Sequence, residues 1–400
     1  MKKQNGITLI ALIITIVVLL ILAVVAIGAV QESGIITHAQ KTAADYNQAK
    51  VDEKSAISGY ETLIESNLPV ENYGSGDSIT TVAEAQTTGV LSTSSTTDVK
   101  DEYGNIIKLP AGFKITTDSN NVTEGIVIED CTETATKGSQ FVWIPVGTVY
   151  TTANQASSET INLDRYTFAS DGTATPKGDA AINNYRKELE TSIYGNATAK
   201  DLNGFISSVE TNKGYYIGRY EAGVTNYDTN NITTSNSNKE MSWTGYVAQE
   251  GEELKLVTKY EQQVWNYVTQ NKASELCQDM YKEATTYTSD LINSYAWNTA
   301  IVFIQTFSTE SDKSTYSQLN KSTRFTLTGK NGDEYCKIND MSGNAEEWST
   351  ETNTSGSNPC IVRGGWYATT VNYAGGKTSG CSSYSYDIDI SRSFRPILYL

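Results

Sequence analysis

The spacing of apolar and polar positions changes twice along the chain. An uncharged, mostly apolar run fills residues 7–30, long enough for a hydrocarbon core of about 30 Å. Apolar residues then recur at helical spacing as far as about residue 66, which predicts one long helix over 7–66. Residues 67–94 are rich in Gly, Ser and Thr and predict a linker. From residue 95 short apolar runs alternate with turn residues, which predicts an outer domain of strands and loops.

Within the outer domain the pattern places both strands and helices. Three apolar runs predict strands, at residues 106–109, 126–128 and 141–144, and two longer stretches predict the main helices, at 261–281 and 291–307. Trp143, Trp297 and Trp348 fall inside or beside these runs, so we expect them in the core. The predicted fold class is α+β: a long N-terminal helix followed by a domain of short strands, two main helices and many loops.

The N-terminus carries a basic leader directly before the apolar run. Lys2 and Lys3 precede that run, which predicts a single-pass membrane protein whose C-terminal domain is extracellular. The leader ends in Gly6 and is followed by Ile7, an arrangement that resembles type IV prepilins and pseudopilins. That resemblance implies cleavage after Gly6, methylation of Ile7, and the cytoplasmic membrane and pilus or pseudopilus subunits as partners. The family usually has Glu where this chain has Ala11, so filament packing stays an open question.

Composition removes several classes of chemistry. The net charge is −16, which argues against nucleic acid as a partner because phosphate binding needs a basic surface. The chain has one histidine, His38, so Ser-His-Asp and Cys-His catalysis are not expected in the outer domain. None of the five cysteines forms a C-x-x-C pair, and a zinc site is not expected.

Five short sequence motifs follow one another along the outer domain. They read FVWIP, GYYIGRYE, SYAWNTA, NDMSGNAEEW and VRGGW, and SFRP follows them. This order resembles the formylglycine-generating enzyme (sulfatase-modifying factor) family, a branch of the C-type-lectin-like fold, over residues 138–400. With the prepilin-like leader at 1–6, the predicted helix at 7–66 and the predicted linker at 67–94, the outer domain takes residues 95–400, and the family resemblance covers 138–400 of it. We expect Arg363 and Arg395 to tie the C-terminal strands together.

The catalytic ligands of that family are not found at the matching positions. The copper-binding cysteines of the enzymes correspond to Thr369 and Ala374, and a hydroxyl and a methyl group cannot replace thiolates. The related sulfoxide-forming enzymes use several histidines on iron, which this chain cannot supply. We therefore expect no enzyme activity and no copper, iron or zinc. An enzyme with an unrecognised site remains the alternative.

The family's calcium loop has a better match. The resemblance assigns the ligands to the Asp340 side chain, the carbonyls of Gly343 and Ala345, and the Glu347 side chain. Carboxylates and carbonyl oxygens in one tight loop suit Ca²⁺. The alternative is a purely structural turn.

The stretch between Trp366 and Phe394 is crowded with Tyr, Ser, Thr, Asn and Asp, the residue types of adaptable binding surfaces. It resembles the segment that is diversified in variable proteins of diversity-generating retroelements. The predicted ligand-binding residues are Tyr367, Thr369, Thr370, Asn372, Tyr373, Ser382, Tyr384, Tyr386, Asp387 and Asp389. The predicted function is surface-displayed binding or adhesion to an extracellular protein or glycan, and a structural or minor pilus subunit is the rival.

Overall fold

The computed structural model describes residues 79–169, 171–224, 255–308, 326–355, 358–366, 380–383 and 391–400 of the chain, with 380–383 described for the backbone alone. The chain divides into residues 1–77 and 78–400. Every described residue belongs to the second unit, and the leader residues Gly6 and Ile7 lie outside the described ranges.

The described ranges contain four α-helices and many short strands. The helices are α1 (Val82–Thr88), α2 (Leu202–Asn212), α3 (Gln270–Asp279) and α4 (Ser294–Phe307), and a 3-10 turn covers Val122–Glu124. The strands are β1 (Thr80–Thr81), β2 (Thr97–Lys100), β3 (Ile106–Leu109), β4 (Phe113–Ile115), β5 (Val127–Asp130), β6 (Gln140–Pro145), β7 (Gly147–Tyr150), β8 (Ser158–Ile161), β9 (Tyr166–Phe168), β10 (Ala174–Pro176), β11 (Arg186–Lys187), β12 (Gly214–Gly218), β13 (Gly223–Val224), β14 (Leu256–Val257), β15 (Gln263–Val264), β16 (Thr288–Leu291), β17 (Glu334–Tyr335), β18 (Ile338–Asn339), β19 (Glu346–Asn353), β20 (Cys360–Arg363), β21 (Gly380–Ser383), β22 (Arg392–Phe394) and β23 (Pro396–Tyr399).

A six-stranded antiparallel sheet, in the order β16-β23-β12-β6-β5-β4, forms the centre of the described fold. Successive side chains of a strand point to opposite faces, and here both faces are covered. Tyr215 and Ile217 of β12 pack in one core with α2 and α4, whereas Tyr216 packs in a second core with Phe113 and Trp143. The continuous apolar run of β6 follows from this double burial.

A second sheet carries the C-terminal strands. Its order is β11-β19-β20-β21, and β22 also pairs with β19, in parallel. The pairing of β19 with β20 shifts register between Ser349 and Thr352, which marks a bulge. Trp348 and Phe394 lie in a third core, and all three tryptophans expected inside are buried, as predicted.

Side-chain caps set the helix starts later than the sequence pattern predicts. The Thr269 side chain accepts a hydrogen bond from the Lys272 N–H, so α3 begins at Gln270 and not near residue 261. The Asn293 side chain accepts a hydrogen bond from the Ala296 N–H and starts α4 at Ser294. Strand β15 and the last residue of β16, Leu291, occupy positions that the apolar pattern assigned to the helices. Short apolar runs are ambiguous between the two structures.

The predicted fold class needs correction. The described chain is mainly strands and loops with four helices of 7, 11, 10 and 14 residues, in place of a long N-terminal helix and two main helices. No helix in the described ranges is long and apolar enough to cross a membrane. The prediction of a single-pass membrane protein is therefore wrong for the described part of the chain. Even the longest described helix, with 14 residues, rises only about 21 Å, which is shorter than a hydrocarbon core of about 30 Å. Residues 7–66, on which that prediction relied, lie outside the described ranges.

Two further segments compare directly with the sequence pattern. Strands were predicted at 106–109, 126–128 and 141–144, and β3, β5 and β6 confirm them to within two residues. Residues 80–88 of the predicted linker form β1 and α1, where a capping box joins Thr81 to Glu84. Val82 and Ala85 are buried in the second core, so this part of the segment packs onto the domain.

Candidate functional site

The C-terminal sheet holds the ends of the segment that the sequence predicts to bind ligand. Antiparallel β20 and β21 pair Arg363 with Gly380, so residues 364–379 leave and rejoin the sheet at one end. Strand β22 begins opposite Glu346, at that same end, because β19 runs antiparallel to β20. Residues 384–390, between the far end of β21 and the start of β22, lie outside the described ranges.

The predicted ligand-binding residues fall largely outside the described ranges. Ser382 is the exception: it lies in β21, paired with Ile361, and its side chain is not described. The other nine are Tyr367, Thr369, Thr370, Asn372, Tyr373, Tyr384, Tyr386, Asp387 and Asp389. Their flanks are well defined, since Arg363, Ser393, Phe394 and Arg395 are buried in the sheet.

Arg395 joins three parts of the chain at this end of the sheet. Its Nε donates to both oxygens of Glu347 on β19, at 3.1 and 2.9 Å, and its Nη2 lies 2.5 Å from Oε1. Its remaining N–H groups donate to the carbonyls of Gly218 and Asn339, at 2.8 and 2.9 Å. Arg395 thus ties the C-terminal strands together through Glu347, as the sequence predicts, and it also ties them to the central sheet through Gly218.

Two more carboxyl groups are buried around this pair. Glu221 accepts hydrogen bonds from the Ala345 N–H and the Asn344 side chain, both at 3.1 Å. Asp340 accepts one from the Gly329 N–H at 2.6 Å, and its Oδ1 has no hydrogen-bond partner among the described residues. We call Glu221, Asp340, Glu347 and Arg395 the acidic network.

Negative charge exceeds positive charge in the acidic network. Burial raises the pKa of Asp340 to about 7, and the attraction of Arg395 does not offset it. Burial, with Asp340 and Glu347 nearby, raises the pKa of Glu221 well above its ordinary value. Burial also raises the pKa of Glu347, against the attraction of Arg395. Three carboxyl groups share one guanidinium, so this site favours an added proton or cation.

The contacts of Asp340 and Glu347 show how far the predicted calcium ligands could hold a cation. The orphaned Oδ1 of Asp340 and the surplus of negative charge fit a hard cation. Glu347 is also hydrogen-bonded to Arg395, and no group of three or more His, Cys, Asp or Glu side chains in the described ranges is arranged to hold a metal ion. A calcium ion here would thus depend on Asp340, Glu347 and the backbone carbonyls of Gly343 and Ala345.

A second buried group of charges has the opposite balance. Glu351, also on β19, lies 2.8 Å from Arg165 Nη2, 2.6 Å from Arg363 Nη2 and 3.9 Å from Arg186 Nε. Burial alone would raise the pKa of Glu351, but the positive charges of Arg363, Arg186 and Arg165 outweigh it and lower the pKa to about 2. We call these four residues the basic network.

Sequence reasoning missed both networks as units. Glu221, Glu351 and Arg165 were not singled out. Glu351 stands in a polar run, residues 349–354, but Glu221 and Arg165 lie beside apolar segments, where a charge needs a buried partner. That position was the available signal. It could not name the partners, because Arg165 and Glu351 are 186 residues apart in the chain.

Comparisons with known proteins add little to this geometry. No protein-family model matches the chain, and no curated protein does. Among solved structures, the chain is similar to Treponema denticola variable protein 1, with a TM-score of 0.29 and 13% sequence identity over 54% of this chain and 94% of that chain. That neighbour is a variable protein, one of the classes the sequence resembles, but a likeness this weak does not define a fold family.

Proposed function

We propose that the domain binds an extracellular macromolecule, a protein or a glycan, through the segment between Trp366 and Phe394, and that it does so without catalysis. The observation that carries this proposal is the contrast between the segment and its flanks. The flanks are buried strands held by Arg363 and Arg395. The residues between them are rich in Tyr, Ser, Thr, Asn and Asp.

A polar, tyrosine-rich segment between buried strands is suited to binding a ligand. Tyrosine offers a large contact area with few rotatable bonds, and Ser and Asn add adaptable hydrogen bonds. Buried charge networks at both flanks resist local rearrangement, so side chains in the segment can differ without altering the framework. The predicted contacts are those already named from Tyr367 to Asp389.

The proposal excludes a catalytic role on chemical grounds. Thr369 and Ala374 stand where the related enzymes hold copper with thiolates, and the chain has no histidine beyond His38. The acidic network has no nucleophile paired with a base, since its carboxyl groups bind backbone N–H groups, an amide and Arg395.

Calcium is a second part of the proposal. Bound at Asp340 and Glu347, with the carbonyls of Gly343 and Ala345, it would offset the buried negative charge and stiffen the loop that precedes β19. The support is the unpartnered Oδ1 of Asp340.

The binding proposal is tested with the full chain on arrays of glycans and extracellular proteins. A ligand found there is measured again with alanine at Tyr367, Tyr373, Tyr384 and Tyr386 together. A truncated aromatic anchor often costs about 2 kcal/mol, roughly a thirtyfold loss of affinity, so the quadruple variant should not bind measurably. Its melting temperature should stay close to that of the parent chain.

A matched control replaces exposed tyrosines elsewhere. Tyr194 and Tyr260 are each 48% exposed, and their double alanine variant should bind as the parent does. Unfolding of the quadruple variant would assign its tyrosines to the core. Full binding by a folded quadruple variant would place the ligand on another surface.

A further inference from the structure

A cleft of about 590 Å³ opens between the 131–138 loop, α3 and the turn that follows α3. Its volume lies in the range of sites for small molecules. We propose that this cleft binds a neutral sugar residue, independently of the C-terminal segment.

One wall of the cleft is a row of threonine hydroxyls. Thr132 and Thr136 each donate to Asp130, both at 2.6 Å, and Thr134 lies between them at 3.0 and 2.7 Å. Because a hydroxyl has one proton, Thr132 and Thr136 have none left to give Thr134. Thr134 can donate to one of them and accepts from neither. Its exposed oxygen is therefore left as an acceptor for a hydroxyl group of a ligand.

A second wall of the cleft is aromatic and is formed by Tyr281 and Tyr287. The Tyr287 ring packs edge-on against Tyr281 and Phe113, with centroids 5.5 and 5.6 Å apart. Tyr281 donates its hydroxyl to Asp130 at 2.9 Å, which joins this wall to the threonine row. Tyr287 is 9% exposed and lines the cleft, so its hydroxyl can bond to a ligand there in place of water.

Charge and polarity narrow the class of ligand. Among the described residues that line the cleft are three lysines (Lys255, Lys272 and Lys282) and three acids (Glu275, Asp279 and Glu283), so the formal charges of these residues cancel. A balanced lining selects neither an anion nor a cation. Apolar side chains, among them Leu276 and Met280, lie beside these polar groups. A pyranose ring presents the same combination, with C–H faces and a rim of hydroxyl groups that both donate and accept.

The test uses the full chain and the methyl glycosides of glucose, galactose, mannose and N-acetylglucosamine, measured by ligand-observed NMR. At least one glycoside should bind, with a dissociation constant in the millimolar range. Tyr287→Phe and Thr134→Val each remove one hydrogen-bonding group and keep the shape of the side chain. Each should weaken binding about three- to tenfold.

Matched substitutions outside the cleft serve as controls. Tyr194→Phe and Thr160→Val change the same groups at exposed positions and should leave the dissociation constant unchanged. The quadruple tyrosine variant of the C-terminal segment should also bind the glycoside normally, which separates this site from the proposed function. The proposal is overturned if no glycoside binds, if both cleft variants bind as the parent does, or if glycine or phosphate binds more tightly than every glycoside.

Discussion

The acidic and basic networks touch the same strand and differ in the sign of their charge. Glu347 and Glu351 lie four residues apart on β19, and both are fully buried. Glu347 shares one arginine with two other carboxyl groups, and its pKa is raised. Glu351 faces three arginines, and its pKa falls to about 2. Burial is the same for both, so the number of partners determines the direction of the shift.

This difference also divides the roles of the two networks. The basic network has three arginines around one glutamate, and the low pKa of Glu351 keeps that glutamate ionised, so the network holds its ion pairs from well below neutral pH upward. The acidic network can take up a proton or a cation, which makes its stability depend on conditions. Both support the strands that flank the C-terminal segment, since Arg363 ends β20 and Arg395 follows β22.

The largest expected effect comes from Glu351→Gln. The substitution leaves three buried arginines without their common counter-charge, and breaking a buried pair typically costs about 3–5 kcal/mol. Urea unfolding should show that loss, or the variant should fail to fold. Glu334→Gln is the control: Glu334 pairs with Arg219 but its side chain is 41% exposed, so its change should stay below about 1 kcal/mol. Equal losses in the two variants would contradict the account of the basic network.

Calcium should stabilise the folded chain through the acidic network and not through the basic network. At a hundredfold excess over its dissociation constant, a ligand of the folded state adds about 2.7 kcal/mol. The melting temperature should rise with calcium and fall with a chelator. Asp340→Asn and Glu347→Gln should each remove the response, whereas Glu334→Gln should keep it. An unchanged melting temperature in the parent chain would exclude the metal from this loop.

Stability should fall as the pH rises when calcium is absent. Asp340 has a pKa of about 7 in the folded chain and an ordinary value near 3.9 when unfolded, so the folded state binds the proton more tightly. Its protonated form contributes fully below about pH 4, and that contribution is lost as the pH rises through about 7. Asp340→Asn should flatten the profile by on the order of 2 kcal/mol in urea unfolding between these limits. A parallel profile in the variant would show that Asp340 is not the titrating group.

The smallest effect is expected for Glu221→Gln. Burial, with Asp340 and Glu347 nearby, raises the pKa of Glu221 well above its ordinary value, so the folded chain favours the neutral carboxyl group and a neutral glutamine loses little charge interaction. One hydrogen bond to Asn344 or Ala345 is weakened, which costs about 1 kcal/mol. Measured beside Glu351→Gln, the same chemical change should differ severalfold in cost. A similar cost in both networks would mean that Glu221 is ionised.

Much of the scaffold could be predicted from the sequence, because strand and core signals are local. The apolar runs at residues 106–109 and 141–144 become β3 and β6, and the tryptophans fall in the core. Helix starts were misplaced because a cap depends on a single side chain such as Thr269. The predicted fold class was wrong because it rested on a long N-terminal helix and two main helices, whereas the described residues form mainly strands and loops.

The candidate sites show the same difference between features set by neighbouring residues and features that depend on distant residues. The residues of the predicted calcium loop lie together because they are neighbours in sequence. The arginine partner of Glu347 and the buried Glu221 come from distant segments, 48 and 126 residues away along the chain, and no spacing rule connects them. The cleft likewise joins Thr134 to Tyr287 through Asp130 and Tyr281, which are 151 residues apart.

The sequence by itself determined which stretches alternate apolar and polar residues and which residues can cap a helix or form a turn. It also determined which catalytic or metal-binding side chains the chain does not contain. Those properties depend on covalent neighbours and on composition. The tertiary structure alone decided which charges meet, and so whether a buried glutamate is strongly acidic or readily protonated. The physical reason is that the energy of a charge depends on its distance in space from other charges and from water, and the order of residues along the chain does not state that distance.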